Sequence, residues 1–452
     1  MQNILQVGYL ERQFKLGLTA TLAFRQVAKR EPIPMGVGET VTKTQAGLLP
    51  AVTAPINVQG VAAQVAAAVT ANPLLHTAAK LDDGLIPVTG SFEQYTLTMD
   101  KYGSTVDLNT RTSRIAIASQ FALNAYTLGE QAARSLDGLA RAALYGVYLG
   151  GNTFVRTAAA AGATSVAVDD VRGFLNAPQA GAMRPTTPQN PLAVQVGDAL
   201  VSVTSVGVDA TNLSTAPGGM SGTLTLAAGI TGTNGAVGNP AVAGVAPRIV
   251  RPNGRATDAA LTAGDRLTMA ALMDAVAELR SNAIPPVDGL YNVYVNPVSQ
   301  RQLFADPDFK QLFQGAQTEA AAFASGRIEQ PFLGMRFVPT TQVPVQNHPT
   351  VAGLRVHAPI VVGQGALIEG QFQGTYSPDD GGNAAIAGEE VVVDGVRMVT
   401  RAPLDRLKEV ISQSWQWIGG YAAPTDILTN TTTVASATNA ANKRAVTVKH
   451  VG

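Results

Sequence analysis

An α+β fold is what this sequence predicts, on three observations. One run of about thirty residues, Gln120 to Gly150, repeats apolar residues at three-to-four spacing. Many short Val/Thr/Ile-rich stretches alternate with a period of two and are cut by Gly, Pro and Asn. Two further helical segments lie among strands in the second half, as helices packed on a mixed sheet require.

Taken in order, the first thirty residues hold Arg12, Lys15, Arg25, Lys29 and Arg30 against the single acid Glu11. Leu10, Phe14, Leu18 and Leu22 recur every four residues. This reads as a basic, partly helical arm whose cations face either nucleic acid or the acids of a neighbouring subunit. From Pro32, the text Ile33-Pro34-Met35-Gly36-Val37-Gly38-Glu39-Thr40-Val41-Thr42-Lys43 excludes a helix interior and favours extended chain. Residues 46–90 are rich in Ala, Val, Pro and Gly and poor in charge, which suits a long excursion better than a core. The return stretch, Phe92 to Leu108, alternates Tyr95, Leu97 and Met99 with polar neighbours, so two strands flank a projecting β-arm.

The long helix follows, with Phe121, Leu128, Ala132, Leu136, Leu139, Ala143, Leu144 and Val147 on one face. Over its length it spans roughly 45 Å. Gly129 and Gly138 inside it each cost ~1 kcal/mol against Ala, which predicts close backbone contact or bending there. Residues 152–258 read as an all-β insertion, with strands at Thr164–Asp170, Leu192–Val194, Ala199–Val203 and Gly222–Leu226. Helix returns over Thr262–Arg280, closed by Asn282 and Pro285-Pro286. A strand at Tyr291–Pro297 feeds a helix over 298–313, and strands follow at Met335–Pro339 and Ile360–Gln371. The last strands are Glu390–Val399, Ser412–Tyr421 and Ala445–Val451, with a solvated Thr/Asn/Ala-rich connection at 427–444.

Composition narrows the function. The 452 residues carry 32 Lys+Arg and 32 Asp+Glu, so no general excess of cations marks a dedicated DNA binder. Cysteine is absent, which removes disulfides, thiolate metal sites and thiol nucleophiles. The start lacks a basic segment followed by an apolar one, and the longest weakly polar stretch, Val61 to Leu75, falls short of a membrane span. A soluble chain with no secretory signal is expected. Only 14% of residues are charged, while Gly and Pro number 45 and 26, so much of the surface is expected to be buried against copies of the same chain.

Chemistry-bearing motifs are missing from the text. There is no phosphate-binding Gly-x-x-x-x-Gly-Lys-[Ser/Thr], no His-Glu-x-x-His and no Gly-x-Ser-x-Gly. Gly36-Val37-Gly38 and Gly363-Gln364-Gly365 lack a third glycine and read as turns. The four histidines, His76, His348, His357 and His450, read as surface or turn residues, although His348 and His357 are placed to approach across a strand pair. Asp82-Asp83-Gly84 and Asp379-Asp380-Gly381 lack the ligand alternation of a calcium loop and read as turns. Trp415 and Trp417, two apart on a strand, share a face and read as core packing. No enzyme, cofactor or metal is predicted.

This order of arm, β excursion, long helix, α+β lobe and closing strands resembles the major capsid proteins of tailed bacteriophages, of the Hong Kong 97 type. Gly38-Glu39-Thr40-Val41-Thr42 and the segment Tyr95-Thr96-Leu97-Thr98-Met99-Asp100-Lys101-Tyr102-Gly103-Ser104-Thr105-Val106 look like the strand pair of that family's extended loop. Gly395 to Leu407 and the tryptophan strand look like its closing peripheral segment. The resemblance implies a Hong Kong 97-like capsid fold: N-terminal arm 1–31, extended β-loop and flanking strands 32–110, and spine helix of the peripheral domain 111–151. An axial domain 259–388 and peripheral closing strands 389–452 complete it, and the all-β insertion domain 152–258, read from the residues alone, lies outside the resemblance.

The implied function is that of a head subunit, self-assembling through hexamers and pentamers into an icosahedral shell around double-stranded DNA, which it contacts non-specifically. Portal, scaffolding and decoration proteins are the further partners it implies, with no membrane. The implied location is the virion, after assembly in the bacterial host cytoplasm. Charged residues flanking the loop strands, Glu39, Lys43, Asp100, Lys101, Arg111 and Arg114, are the expected inter-subunit contacts. Lys43 and Lys80 are the lysines in reach of a crosslink, but no local motif supports one. An encapsulin-like compartment is the alternative with the same fold; a bacterial surface or adhesion protein and an unrecognised hydrolase are weaker ones.

Overall fold

The computed structural model describes residues 11–18, 23–34, 39–46, 92–109, 120–179, 182–244, 246–314, 333–373, 388–401, 410–423 and 443–452. All but the first residue of the excursion expected at 46–90, the acidic turns at Asp82 and Asp379, His76, Arg111 and Arg114 lie outside these residues.

Residues 11–18 form a first helix, α1, and the long helix, α2, runs Gln120–Tyr148. At 1.5 Å per residue α2 is roughly 43 Å long. The two cross where glycine meets backbone: a Cβ on Gly129 would lie 2.5 Å from the Phe14 carbonyl oxygen, and one on Gly17 would strike the Tyr126 carbonyl. The close contact expected at Gly129 is therefore present. Gly138 has nothing within 4 Å of a built Cβ, so no such contact explains it.

One face of α2 lies on a six-stranded sheet. Its strands are β1 (Lys29–Pro34), β4 (Asp100–Asn109), β19 (Ile368–Gln373), β20 (Gly388–Val393), β21 (Val396–Arg401) and β22 (Val410–Ala422), counted in chain order with those named below. The 13-residue β22 takes β4 along one edge and β21 followed by β19 along the other, because Ser412–Gln416 and Gly419 each pair on both sides. Alternation along β22 sends Gln413, Trp415 and Trp417 to the buried side, where the tryptophans join Leu128, Ala132, Leu136, Phe14 and Leu18. The expectation that they pack in the core holds.

The expected single extended stretch at 33–43 is two strands in two sheets. β1 pairs in parallel with β19, whereas β2 (Thr40–Ala46) pairs antiparallel with β3 (Phe92–Thr98) in register Thr40↔Thr98 to Ala46↔Phe92. Pro32 and Pro34 cannot donate to a ladder, which confines β1 to the sheet edge it occupies.

Between 152 and 243 six strands pair in the order β5 (Asn152–Phe154), β12 (Pro240–Ala243), β9 (Leu192–Val196), β10 (Ala199–Val208), β11 (Gly222–Leu226), β6 (Ser165–Val168). The bridge Val155↔Val168 and the bond from Arg156 N to Ala167 O (2.9 Å) join the two ends, so the sheet closes into a small barrel. Val166, Val168, Leu192, Val194, Val196, Val203, Leu224 and Leu226 fill it. Closure leaves no unpaired edge, which lets so small a sheet stand with a single core. A hairpin of β7 (Asn176–Gln179) and β8 (Ala182–Pro185) branches from it.

The third sheet runs β13 (Ile249–Val250), β23 (Ala445–Val448), β18 (Ile360–Val362), β14 (Tyr291–Val295), β15 (Met335–Pro339). It is covered on both faces, and β14 accordingly is buried at every position. Val293, Val361 and Val448 meet α3 (Met269–Ser281), α4 (Pro297–Ala305) and α5 (Pro307–Gln314). Tyr294, Ile360 and Val362 meet Leu144, Tyr145 and Tyr148 of α2 and Phe24 of the arm. Chain-terminal β23 thus pairs with strands drawn from 249–362 and not with β20–β22. A small sheet of β16 (Val345–Asn347), β17 (Arg355–His357) and β24 (His450–Val451) flanks it.

Two helix boundaries differ from the sequence reading. α3 begins at Met269 because Thr268 caps it, its side chain accepting the Ala271 N–H, so residues 262–268 stay outside. The helix read over 298–313 is two, α4 and α5, broken at Asp306-Pro307, where proline disfavours helical backbone at the residue before it.

Candidate assembly surface and the ionic anchors behind it

Four of the six expected contact residues fall among the described ones, and they gather where the β2–β3 ribbon leaves the main sheet. Glu39 precedes β2, and its carbonyl accepts the Met99 N–H at 2.8 Å. Asp100 and Lys101 open β4 opposite Gly419 and Ile418, and all three of these charged residues are exposed. Lys43 stands further out, across from Tyr95, and its Nζ lies 3.5 Å from Glu31 of the same chain.

What fixes the ribbon base is apolar. Leu97, Met99 and Ile33 bury together with Val41 and Ala422 packed on them. Leu97 rests on Gly370, where any Cβ would overlap its side chain, and Gly420 lies against the Thr98 carbonyl in the same way. Two glycines directly opposite each other on β19 and β22 let the ribbon approach the sheet this closely.

Three of the arm's cations, Arg25, Lys29 and Arg30, pair with acids of the same chain. Arg25 is fully buried and donates from Nη2 to Glu369 at 2.7 Å, with Glu369 also fully buried. Its Nη1 lies 3.2 Å from Asp394, and Arg30 makes a two-pronged pair with the same Asp394. Lys29 meets Glu31 at 3.3 Å. Neither nucleic acid nor a neighbour's acids is therefore the partner of Arg25, correcting the sequence expectation; the acids sit at positions 369 and 394 of the same chain. Burial lowers the Arg25 pKa and the Glu369 carboxylate more than restores it, so the group stays charged.

Asp137 of α2 binds the same arm segment. Its Oδ1 accepts from the N–H groups of Ala23, Phe24 and Arg25 at 3.0, 2.7 and 3.1 Å, closing the 3-10 turn Phe24–Val27 onto the helix. Burial pushes its carboxyl up against those three bonds.

A second anchor ties the last strands to the third sheet. Burial pushes the Asp258 carboxyl up, but the adjacent Lys449 ammonium and Arg251 guanidinium outweigh it and hold the carboxyl well below the usual range. His357 and His450 stack with ring centres 5.4 Å apart. His450 Nδ1 faces the Val451 carbonyl at 3.1 Å, so its Nε2 accepts from Ser299 Oγ at 2.7 Å, while His357 Nδ1 meets Asn296. Burial drives the His450 pKa down to about 3. His348 bonds instead to the Leu261 carbonyl at 2.9 Å. The reading of these histidines as surface residues is thus wrong, since all three are buried and bonded; His348 is a turn residue, its Nδ1 accepting the Val351 N–H at 3.0 Å, and it is His450 that His357 stacks on.

Among the described residues no group of three or more His, Asp or Glu stands in an array able to hold a metal ion, and no helix is long and apolar enough to cross a membrane. The anchors join positions up to 369 apart in sequence, and no local spacing marks them.

No family model matches the chain, and no curated protein matches it. What it is similar to among solved structures is phage capsids. With the capsid of Ralstonia phage GP4 it shares 12% identity over 96% of this chain and 92% of that one, at a TM-score of 0.48. The capsid of cyanophage P-SCSP1u gives 11% identity over 95% and 88%, at 0.43. The acid-stable capsid of Helicobacter pylori bacteriophage KHP30 gives 9% over 95% and 91%, at 0.41.

Proposed function

We propose that the chain is the head subunit of a double-stranded DNA bacteriophage, assembling with copies of itself through hexamers and pentamers into an icosahedral shell, in a structural and not a catalytic role. The observation that carries the reading is the β2–β3 ribbon, a two-stranded sheet of its own whose described side chains meet the core of the main sheet at its base, through Val41, Leu97 and Met99. A two-stranded ribbon is marginal by itself and gains stability against a second surface. In a shell that surface belongs to the adjacent subunit, and ring closure needs such head-to-tail contacts. In this reading the ribbon with 32–110 is the extended loop, α2 the spine, 152–258 an outward insertion, 259–362 with β23 and β24 the axial domain, and β19 with 389–422 the peripheral closing segment.

Glu39, Asp100 and Lys101, exposed at the ribbon base, are the proposed inter-subunit contacts, with Lys43 held partly by Glu31. Packaged DNA, portal, scaffolding and decoration proteins are proposed partners.

Negative-stain electron microscopy of the chain, expressed alone and with the other head genes of its source genome, tests the reading. Shells, tubes or five- and six-membered rings are expected, with nucleic acid inside particles distinguishing a head from an encapsulin-like compartment. A monodisperse monomer under both conditions overturns it.

A further inference from the structure

A groove of about 550 Å³ opens where α2, the barrel and the loop before β16 meet. Arg141, Tyr145, Arg172, Pro217, Gly218 and residues 341–345 line it, and no acidic residue does. Both arginines keep donors in reserve. Arg172 is clamped by Asp170, with Nε at 2.9 Å and Nη2 at 2.6 Å from Oδ2, and Nη2 also bonds the Pro217 carbonyl at 3.1 Å. Its Nη1 takes no part in that clamp and lies at the wall, 3.5 Å from where a Cβ on Gly218 would be. Arg141 donates from Nη1 to the Gln342 carbonyl at 3.3 Å, one bond for a group with five donors.

Asp170 accepts the Arg172 and Met220 N–H groups at 3.0 and 3.2 Å besides the guanidinium. Asp137 accepts the three arm N–H groups through Oδ1 alone; its buried Oδ2 has no hydrogen-bond partner among the described residues, and its charge acts on Arg141 without a hydrogen bond between them. Tyr145, Pro217, Pro344 and the 41% exposed Val345 supply apolar walls around the two cations. An oriented guanidinium pair in a partly apolar groove is the complement of a carboxylate on a peptide.

We propose that this groove binds an acidic side chain presented by a second copy of the chain. Only the identity of that carrier rests on the shell reading; charge complementarity points to the carboxylate. The chain itself offers as many acids as cations, 32 of each.

Two measurements decide it. Fluorescein-labelled hexaglutamate is titrated by anisotropy into the soluble chain, with hexaserine as control. Saturable binding of hexaglutamate alone, weakened tenfold or more by Arg141→Gln and partly restored by Arg141→Lys, is expected. No saturable binding, or equal binding by a folded Arg141→Gln variant with unchanged thermal midpoint, overturns the site. In assembled particles, a photocrosslinking residue placed at Val345 is expected to capture an Asp- or Glu-bearing segment of another copy. Capture within its own chain only, or of a segment lacking an acid, overturns the occupant. If particles never form, the shell reading fails while the hexaglutamate titration still decides the groove.

Discussion

Acid should loosen the last strands of the chain as the pH falls below 6.5, and His450 is the reason. In the unfolded chain an imidazole takes its proton near pH 6.5. Folded, His450 is buried under His357 and already bonded by Ser299 and Val451, and its pKa falls to about 3. Between these values the opened segment binds a proton that the closed one refuses, so stability rises with pH across this window and is lost as pH falls from 6.5 towards 3. For one such site the loss is about 2 kcal/mol at pH 5 relative to pH 8, and about 3 kcal/mol at pH 4. His357, also lowered by burial and then by Arg355, adds in the same direction. A chain of several packed units does not unfold in one step, so a local readout is needed. Hydrogen exchange of the 443–452 peptide at pH 8, 7, 6 and 5, corrected for intrinsic rates, gives its opening free energy. Wild type should lose about 2 kcal/mol more over this range than His450→Gln, which keeps a donor and an acceptor but does not titrate. Parallel pH slopes for the two proteins would refute the reasoning.

The anchors and the helix crossing carry three further expected outcomes. Gly129→Ala gains helix propensity but drives a methyl into the Phe14 carbonyl, so α1 should undock and residues 11–18 become open to limited proteolysis, whereas Gly138→Ala meets open space and should add up to ~1 kcal/mol of stability, read as a higher thermal midpoint. Asp137→Ala orphans three buried N–H groups and should cost about 2 kcal/mol or more, read as faster exchange of residues 23–28. Asp137→Asn keeps a carbonyl acceptor and should cost less. Arg25→Ala leaves Glu369 charged and buried without its partner, a loss of roughly 3–5 kcal/mol in chemical denaturation, while the pair Arg25→Met with Glu369→Leu should recover most of it.

Elements with strong local periodicity were legible in the sequence. α2 begins at the expected Gln120 and ends two residues short of the expected Gly150. Met335–Pro339 and Gly222–Leu226 match residue for residue. In each case burial on one face imposes a pattern that neighbours in sequence carry. Boundaries set by a single residue were missed: Thr268 capping α3, and Pro307 splitting α4 from α5. Closure of the barrel was not legible either, because it depends on Val155 meeting Val168, a pairing that leaves no mark on either strand's own alternation.

The buried polar anchors mark the deeper limit. Arg25 in the sequence is one of five arm cations against one acid, and a charge count assigns all five to an outside partner. The fold instead places Glu369 and Asp394 against that arm, because β1 pairs in parallel with β19 and brings Arg30 opposite Glu369. The partner is thus selected by strand register, which a sequence read alone does not contain. The same holds for His357 and His450: β17 and β24 pair His357 directly with His450 across their ladder. Side chains directly opposite on adjacent strands stand about 5 Å apart, so the ladder alone brings the two rings together. The chemistry that distinguishes this chain from an inert scaffold, a charged arm lock and an acid-sensitive terminal strand, therefore arises from long-range pairing. Substitutions that shift register should abolish both even where every charged residue is kept.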